Sequence, residues 1–242
     1  METFQKILEL KRLFVSMNKK ITDLNPVSEL KELEELSCFE TNVSDLKPVE
    51  KLFNLKYISF HSTKVKNIQP LENLTNLQHI CCDKNEISNL MPLLNFSKLQ
   101  SLSCDTNRLQ NIDFLQNCRN LTALICHNNL IQDISVLQNC EQTKLLLCDN
   151  NNISDLRPLQ NLTNISYLSF NLNPIENLLP LQNLNLLERL QIAGTKVKQL
   201  ADLGVKPNLK LLDCSGTEVA FSEIESFKKA HPKCIIFYTG KK

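Results

Sequence analysis

A fixed period of 22 residues constrains this chain more than any other feature. Residues 119–140, RNLTALICHNNLIQDISVLQNC, align without a gap on residues 141–162, EQTKLLLCDNNNISDLRPLQNL. Leu124, Cys126, Asn129, Ile131, Ile134 and Leu137 of the first stand where Leu146, Cys148, Asn151, Ile153, Leu156 and Leu159 stand in the second. The same template starts at Lys31, Phe53, Thr75, Ser97, Thr163 and Asn185, with an altered unit from Pro207. Its register is already present at Ile21, Leu24, Pro26, Val27 and Leu30. A unit this short cannot bury its own apolar side and must cover it with its neighbours, so the pattern predicts a repeat solenoid.

Each unit reads as three parts. A short strand carries an inward apolar pair such as Leu102 and Cys104, an Asn turn follows, and a return segment carries residues such as Ile112, Leu115 and Cys118. Stacking places the strands in one parallel sheet lining the concave side. Pro48, Pro70, Pro92, Pro158 and Pro180 open the return segments. Their fixed φ suits the start of a helical turn, and the few residues available make that turn 3₁₀ or irregular. Asn85, Asn107, Asn129, Asn151 and Asn173 form a column that Thr41, Thr63, Thr195 and Thr217 continue at its two ends. An amide both donates and accepts, so this column serves the backbone groups freed where each strand bends away.

Three spans follow: an N-terminal helical cap over 1–20, repeats over 21–221, and a C-terminal cap of helix plus final strand over 222–242, all in one continuous domain. In the first, Ile7, Leu10, Phe14 and Met17 recur at helical spacing. In the last, Ser222-Glu-Ile-Glu225 has the capping-box pattern, Ile224, Phe227 and Ala230 are the expected buried side, and Cys234-Ile-Ile-Phe-Tyr238 reads as a strand.

The ten cysteines do not form a metal or disulfide pattern. Cys38, Cys82, Cys104, Cys126, Cys148 and Cys214 occupy the place held elsewhere by Phe60, Phe170 and Ile192, so these thiols act as small core hydrophobes. In-register strands would set them in a row about 4.8 Å apart, which cannot supply a tetrahedron. Cys81 alone among the repeat cysteines is expected to face outward, as the most reactive thiol. A formal charge of +1, from 27 basic and 26 acidic side chains, suggests no nucleic-acid or membrane footprint. Glu9, Lys11 and Arg12 interrupt the N-terminal apolar residues, so no signal peptide is read there. Buried thiols and the missing signal together predict a soluble, cytoplasmic protein.

The pattern L-x-x-L-x-L-x-x-N-x-I-x-x-I-x-P-L-x-x-L over about residues 21–228 resembles the 22-residue class of leucine-rich repeats. Phosphatase-regulatory repeat proteins of eukaryotes and internalins of Gram-positive bacteria share that class. The resemblance implies an α/β repeat solenoid, curved, with a parallel sheet on its concave face. It also implies a non-enzymatic module, without cofactor or metal, that binds a protein on that face.

Alternation along the strands identifies the outward residues. Ala123, Ile125, Leu145 and Leu147 form an apolar patch with Tyr167 beside it. A row of His61, Asp83, Asp105, His127 and Asp149 runs alongside. Those residue types can coordinate a metal or exchange protons, but an open row on a solvated sheet lacks enclosure and reads as a polar rim. The candidate protein-binding residues are Tyr57, His79, Asp83, Asp105, Ile125, His127, Leu145, Leu147, Asp149 and Tyr167. The expected protein is a monomeric intracellular regulatory scaffold. The alternative is an internalin-like adhesin or effector, exported by a non-standard route, that binds a host protein.

Overall fold

The computed structural model describes residues 7–239. By its internal contacts the chain divides into two compact units, Met1–Leu109 with Asp113–Leu121, and Gln110–Ile112 with Thr122–Lys242. In the first unit β1 (Arg12–Phe14), β2 (Glu35–Ser37), β3 (Tyr57–Ser59), β4 (His79–Cys81) and β5 (Ser101–Ser103) lie in chain order, each parallel to the next. In the second unit β6 (Ala123–Ile125), β7 (Leu145–Leu147), β8 (Tyr167–Ser169), β9 (Arg189–Gln191), β10 (Leu211–Asp213) and β11 (Ile235–Phe237) do the same.

The strands are short because each repeat needs only one inward pair. The central residues, such as Leu36, Leu102, Leu146 and Leu190, are fully buried, as are Cys38, Cys104, Cys148 and Ile192 two positions on. The chain then bends through a left-handed residue: Glu40, Ser62, Lys84 and Thr106 in the first unit, Asn128, Asn150 and Leu172 in the second. This conformation is unfavourable for a side-chain-bearing residue. It persists because the N–H there extends the ladder, as when Asn150 donates to the Asn171 carbonyl and Leu172 to that of Ala193, both at 2.8 Å.

Glycine meets the same demand at Gly194, where φ is 68° and an added Cβ would sit 2.7 Å from Leu172 Cδ2. That contact is the end of a flexible side chain, so backbone strain dominates. Gly194→Ala is therefore expected to cost about 1–2 kcal/mol. A urea midpoint shift at unchanged slope would measure it.

The asparagine column does what its chemistry suggests. Asn107 Nδ2 donates to the carbonyls of Cys104 (3.1 Å) and Cys82 (3.0 Å), while its Oδ1 accepts the Ile87 N–H at 3.0 Å. The hydroxyls of Thr41, Thr63, Thr195 and Thr217 each donate to the carbonyl three residues back, at 2.7–2.8 Å.

Two further polar columns are present. Asp45, Asn67, Asn89, Asp155 and Asn177 each accept the N–H two residues on, at 2.7–2.9 Å, and so open the proline-bearing 3₁₀ turns. Asn54, Asn76, Asn120, Asn164 and Asn208 each donate to the carbonyl 23 positions back, tying neighbouring repeats together.

The ends depart from expectation. Residues 1–6 of the expected N-terminal cap lie outside the described residues. Arg12–Phe14 is strand rather than helix, and Phe14 and Met17, placed on the buried side by helical spacing, are 62% and 72% exposed. Leu10, Leu13 and Val15 repeat the spacing of Leu33, Leu36 and Cys38, and pairing with β2 satisfies a row of backbone groups otherwise left at a sheet edge.

At the other end, helix α1 (Phe221–Ala230) buries Ile224 and Phe227, while Ala230 is exposed. Its N-cap is Ala220, so the capping box over Ser222–Glu225 does not form; Glu223 Oε2 instead accepts the Leu200 N–H at 3.2 Å. Buried Lys206 donates from Nζ to the Gln182 and Leu203 carbonyls, and its backbone N–H donates to His231 Nε2 at 2.9 Å.

Candidate protein-binding face

The parallel register fixes which outward side chains meet. In the second unit one row runs Ala123, Leu145, Tyr167, Arg189, Leu211, Ile235, and the next Ile125, Leu147, Ser169, Gln191, Asp213, Phe237. Leu145 and Leu147 are half-buried on either side of Leu146, whose exposure is 0%, so both point away from the core. Rungs about 4.8 Å apart make Ala123, Ile125, Leu145 and Leu147 one apolar island. Tyr167 borders it, held in place by donating its hydroxyl to Gln191 Oε1 at 2.6 Å. The Arg189 guanidinium lies over the tyrosine ring, 5.7 Å from its centre.

His127, Asp149 and Asn171 flank this island, and each serves the backbone of the following repeat. His127 Nδ1 accepts the Asp149 N–H at 2.9 Å, Asp149 Oδ1 accepts the Asn171 N–H at 2.9 Å, and Asn171 Oδ1 accepts the Ala193 N–H at 2.7 Å. Asp149 also accepts the Ser169 hydroxyl at 2.5 Å.

In the first unit Asp83 acts in the same way, accepting the Asp105 N–H at 2.7 Å and the Ser103 hydroxyl at 2.7 and 2.9 Å. Asp105 accepts the Thr106 hydroxyl at 3.0 Å. Tyr57 and His79 are half-buried neighbours between Glu35, which pairs with Arg12 at 3.3 Å, and Ser101. Phe39 and His61 stack at 4.4 Å.

The candidate residues thus fall into two groups. Ile125, His127, Leu145, Leu147, Asp149 and Tyr167 come together in the second unit, whereas Tyr57, His79, Asp83 and Asp105 belong to the first. Asp83 and Asp149 act first as backbone clamps, with oxygens committed inside the repeat stack. Among the described residues, no group of three or more His, Cys, Asp or Glu side chains is placed to hold a metal ion. No helix there is long and apolar enough to cross a membrane. Strand alternation turns Arg189 and Gln191 outward on β9, but only Tyr167 on β8, which bonds the second and lies beneath the first, connects them to the island.

Cys81 is half-buried, whereas the other nine cysteines are buried. Burial, with the Asp83 charge adding to it, pushes its thiol up to about 11. Outward placement does not make it a reactive thiol, because the thiolate is the nucleophile. Alkylation of native Cys81 is expected to be slow at pH 8 and to rise about tenfold per pH unit until about pH 11. Peptide mass spectrometry across a pH series would read it.

Stacked parallel strands of three residues, 3₁₀ returns and an asparagine column at a 22-residue period make this chain a leucine-rich repeat protein. Among solved structures it is similar to an internalin from Listeria monocytogenes str. 4b F2365, with TM-score 0.85 and 26% identity over 97% of this chain and 75% of that one. Internalin C2 of the same strain matches with TM-score 0.73 and 27% identity over 77% of this chain and 82% of that one. The ectodomain of the Arabidopsis thaliana receptor kinase GASSHO1/SCHENGEN3, solved in complex with CASPARIAN STRIP INTEGRITY FACTOR 2, matches with TM-score 0.78 and 19% identity over 96% of this chain and 30% of that one. No family model matches the sequence, and no curated protein matches it.

Proposed function

We propose that this chain is a non-enzymatic interaction module that binds a partner protein on its outward strand face, the concave side in repeats of this class. The observation that carries this reading is the island of Ala123, Ile125, Leu145 and Leu147 beside a fixed Tyr167, rimmed by His127, Asp149 and Asn171. Apolar area with a tyrosine anchor inside a polar rim is the arrangement that gives protein interfaces their binding energy. The plant receptor ectodomain, solved with its factor bound, supports a ligand-binding role for this fold. Near-neutral net charge offers nothing specific to nucleic acid.

A monomeric intracellular regulatory scaffold fits the ten thiols. The likeness to internalins favours a second reading, an exported adhesin or effector that binds a host protein. Locating the native protein separates them: a cytoplasmic pool supports the scaffold, whereas protein in the medium or on the cell surface supports the adhesin.

The face itself is tested by affinity capture from the source cell with wild type and Leu145→Asp/Leu147→Asp. The variant is expected to lose the partner completely while its thermal transition stays within a few degrees. Identical captured sets would rule the island out as the interface.

A further inference from the structure

The same face has a second apolar island. Leu211 and Ile235 are neighbours in the first outward row and Phe237 ends the second, with Ile235 60% and Phe237 50% exposed. From β7 to β11 is four rungs, about 19 Å at about 4.8 Å each. Arg189 and Gln191 lie on β9, midway between the two islands.

The middle is rich in unspent hydrogen-bond donors. Tyr167 gives its hydroxyl proton to Gln191 Oε1, which leaves the Gln191 amide to present its two N–H donors. Arg189 is exposed, with its guanidinium held over the tyrosine ring, and it forms no ion pair among the described residues. The surrounding carboxylates are engaged elsewhere. Asp149 accepts from Ser169 and Asn171, Asp213 Oδ1 accepts the Ser215 N–H at 3.0 Å, and Glu188 pairs with Lys210 at 2.7 Å. A guanidinium beside an amide N–H₂ matches a carboxylate, which can take two parallel N–H donors at once.

We propose that the partner segment seated on this face carries an Asp or Glu side chain between two apolar anchors. The carboxylate is received by Arg189 and Gln191, one anchor by Leu145, Leu147 and Tyr167, and the other by Leu211, Ile235 and Phe237. This inference rests on the protein-binding reading of the same face. About 19 Å is spanned by roughly six extended residues or roughly thirteen helical ones, so the acidic residue lies near the middle of a short segment.

The test is selection of random peptides displayed on phage against the full chain, followed by fluorescence polarisation with the synthetic consensus peptide. Selected sequences are expected to hold an acidic residue flanked on both sides by large apolar ones. Their affinity should fall at least about tenfold in Arg189→Met and weaken with added salt in wild type but not in that variant. Arg189→Lys, which keeps the charge and loses the fork, should recover only part of the affinity. Thermal transitions confirm that each variant is folded.

Peptides without an acidic residue, or an affinity indifferent to Arg189→Met yet lost in Leu145→Asp/Leu147→Asp, would overturn the carboxylate inference and leave the face reading standing. Peptides indifferent to both variants, or no selected peptide at all, would count against both.

Discussion

Leu146→Asp is expected to abolish folding of the repeats around β7, whereas Leu147→Asp, one residue on, should leave a folded protein. Leu146 has no exposed surface and packs behind the sheet. An aspartate there would lose the burial of a leucine, about 1.5–3 kcal/mol, and add several kcal/mol for a carboxylate in an apolar core without a partner. The sum is comparable to the whole stability of an ordinary domain. Leu147 is half-buried on the outer face, where a carboxylate keeps much of its water and costs about 1 kcal/mol or less. Urea unfolding followed by far-ultraviolet circular dichroism would read both variants. Equal destabilisation by the two, or loss of structure in Leu147→Asp alone, would mean that the outward rows have been assigned to the wrong parity.

That parity was legible because two periods act together. The 22-residue period aligns the units, and the two-residue strand period decides which side of each unit is wet. Thiols exchange with Phe60, Phe170 and Ile192 at one position, which by itself marks that position as core, and Cys38, Cys82, Cys104, Cys126, Cys148 and Cys214 are all buried there. The ends were less legible because a cap is under no obligation to keep the period. Arg12 pairs with Glu35, a step of 23 residues, and Leu211 with Ile235, a step of 24. Helical spacing of Ile7, Leu10, Phe14 and Met17 competed with the strand spacing of Leu10, Leu13 and Val15. The need to pair the β2 edge favoured the second.

The site was legible to a lesser depth. Outwardness of Ile125, Leu145, Leu147 and Tyr167 follows from register, but what their polar neighbours do depends on side-chain direction. Asp83 and Asp149 read as an open acidic edge, yet each turns an oxygen onto the backbone of the next repeat. A one-dimensional pattern gives no warning of this, because a carboxylate that clamps a strand and one that awaits a partner occupy the same column. Arg189 shows the converse. It is the one arginine in its row of the second unit, and its importance emerges only from the ring beneath it. The remaining columns had a sequence signal in plain view: Asp or Asn two residues before the 3₁₀ turn, and Asn54, Asn76, Asn120, Asn164 and Asn208 at a common repeat position.

Asn151→Ala is expected to destabilise the protein by about 3 kcal/mol, far more than removal of a surface amide. The Asn151 side chain is buried, and Nδ2 donates to the carbonyls of Cys126 and Cys148 at 3.0 Å and of Asp149 at 3.2 Å, while Oδ1 accepts the Ile131 N–H at 3.0 Å. Alanine leaves these backbone groups in place without their shared partner, and each buried group so orphaned costs about 1–3 kcal/mol, moderated where the carbonyls keep other donors. Asn151→Thr should recover part of the loss, because Thr195 at the equivalent position makes the bond to the carbonyl three residues back at 2.7 Å but cannot reach the preceding repeat. Asn152→Ala, at the exposed neighbouring position, should stay within about 0.5 kcal/mol of wild type. Unfolding midpoints of the three variants rank these outcomes. If threonine were no better than alanine, the bonds into the preceding repeat would carry the whole effect, and the column would act as the fastener between repeats rather than as a cap on each strand. In either case Asn151 bonds the turn that follows β6, and so adds to the backbone ladder that sets the register of Leu145 and Leu147 against Ala123 and Ile125.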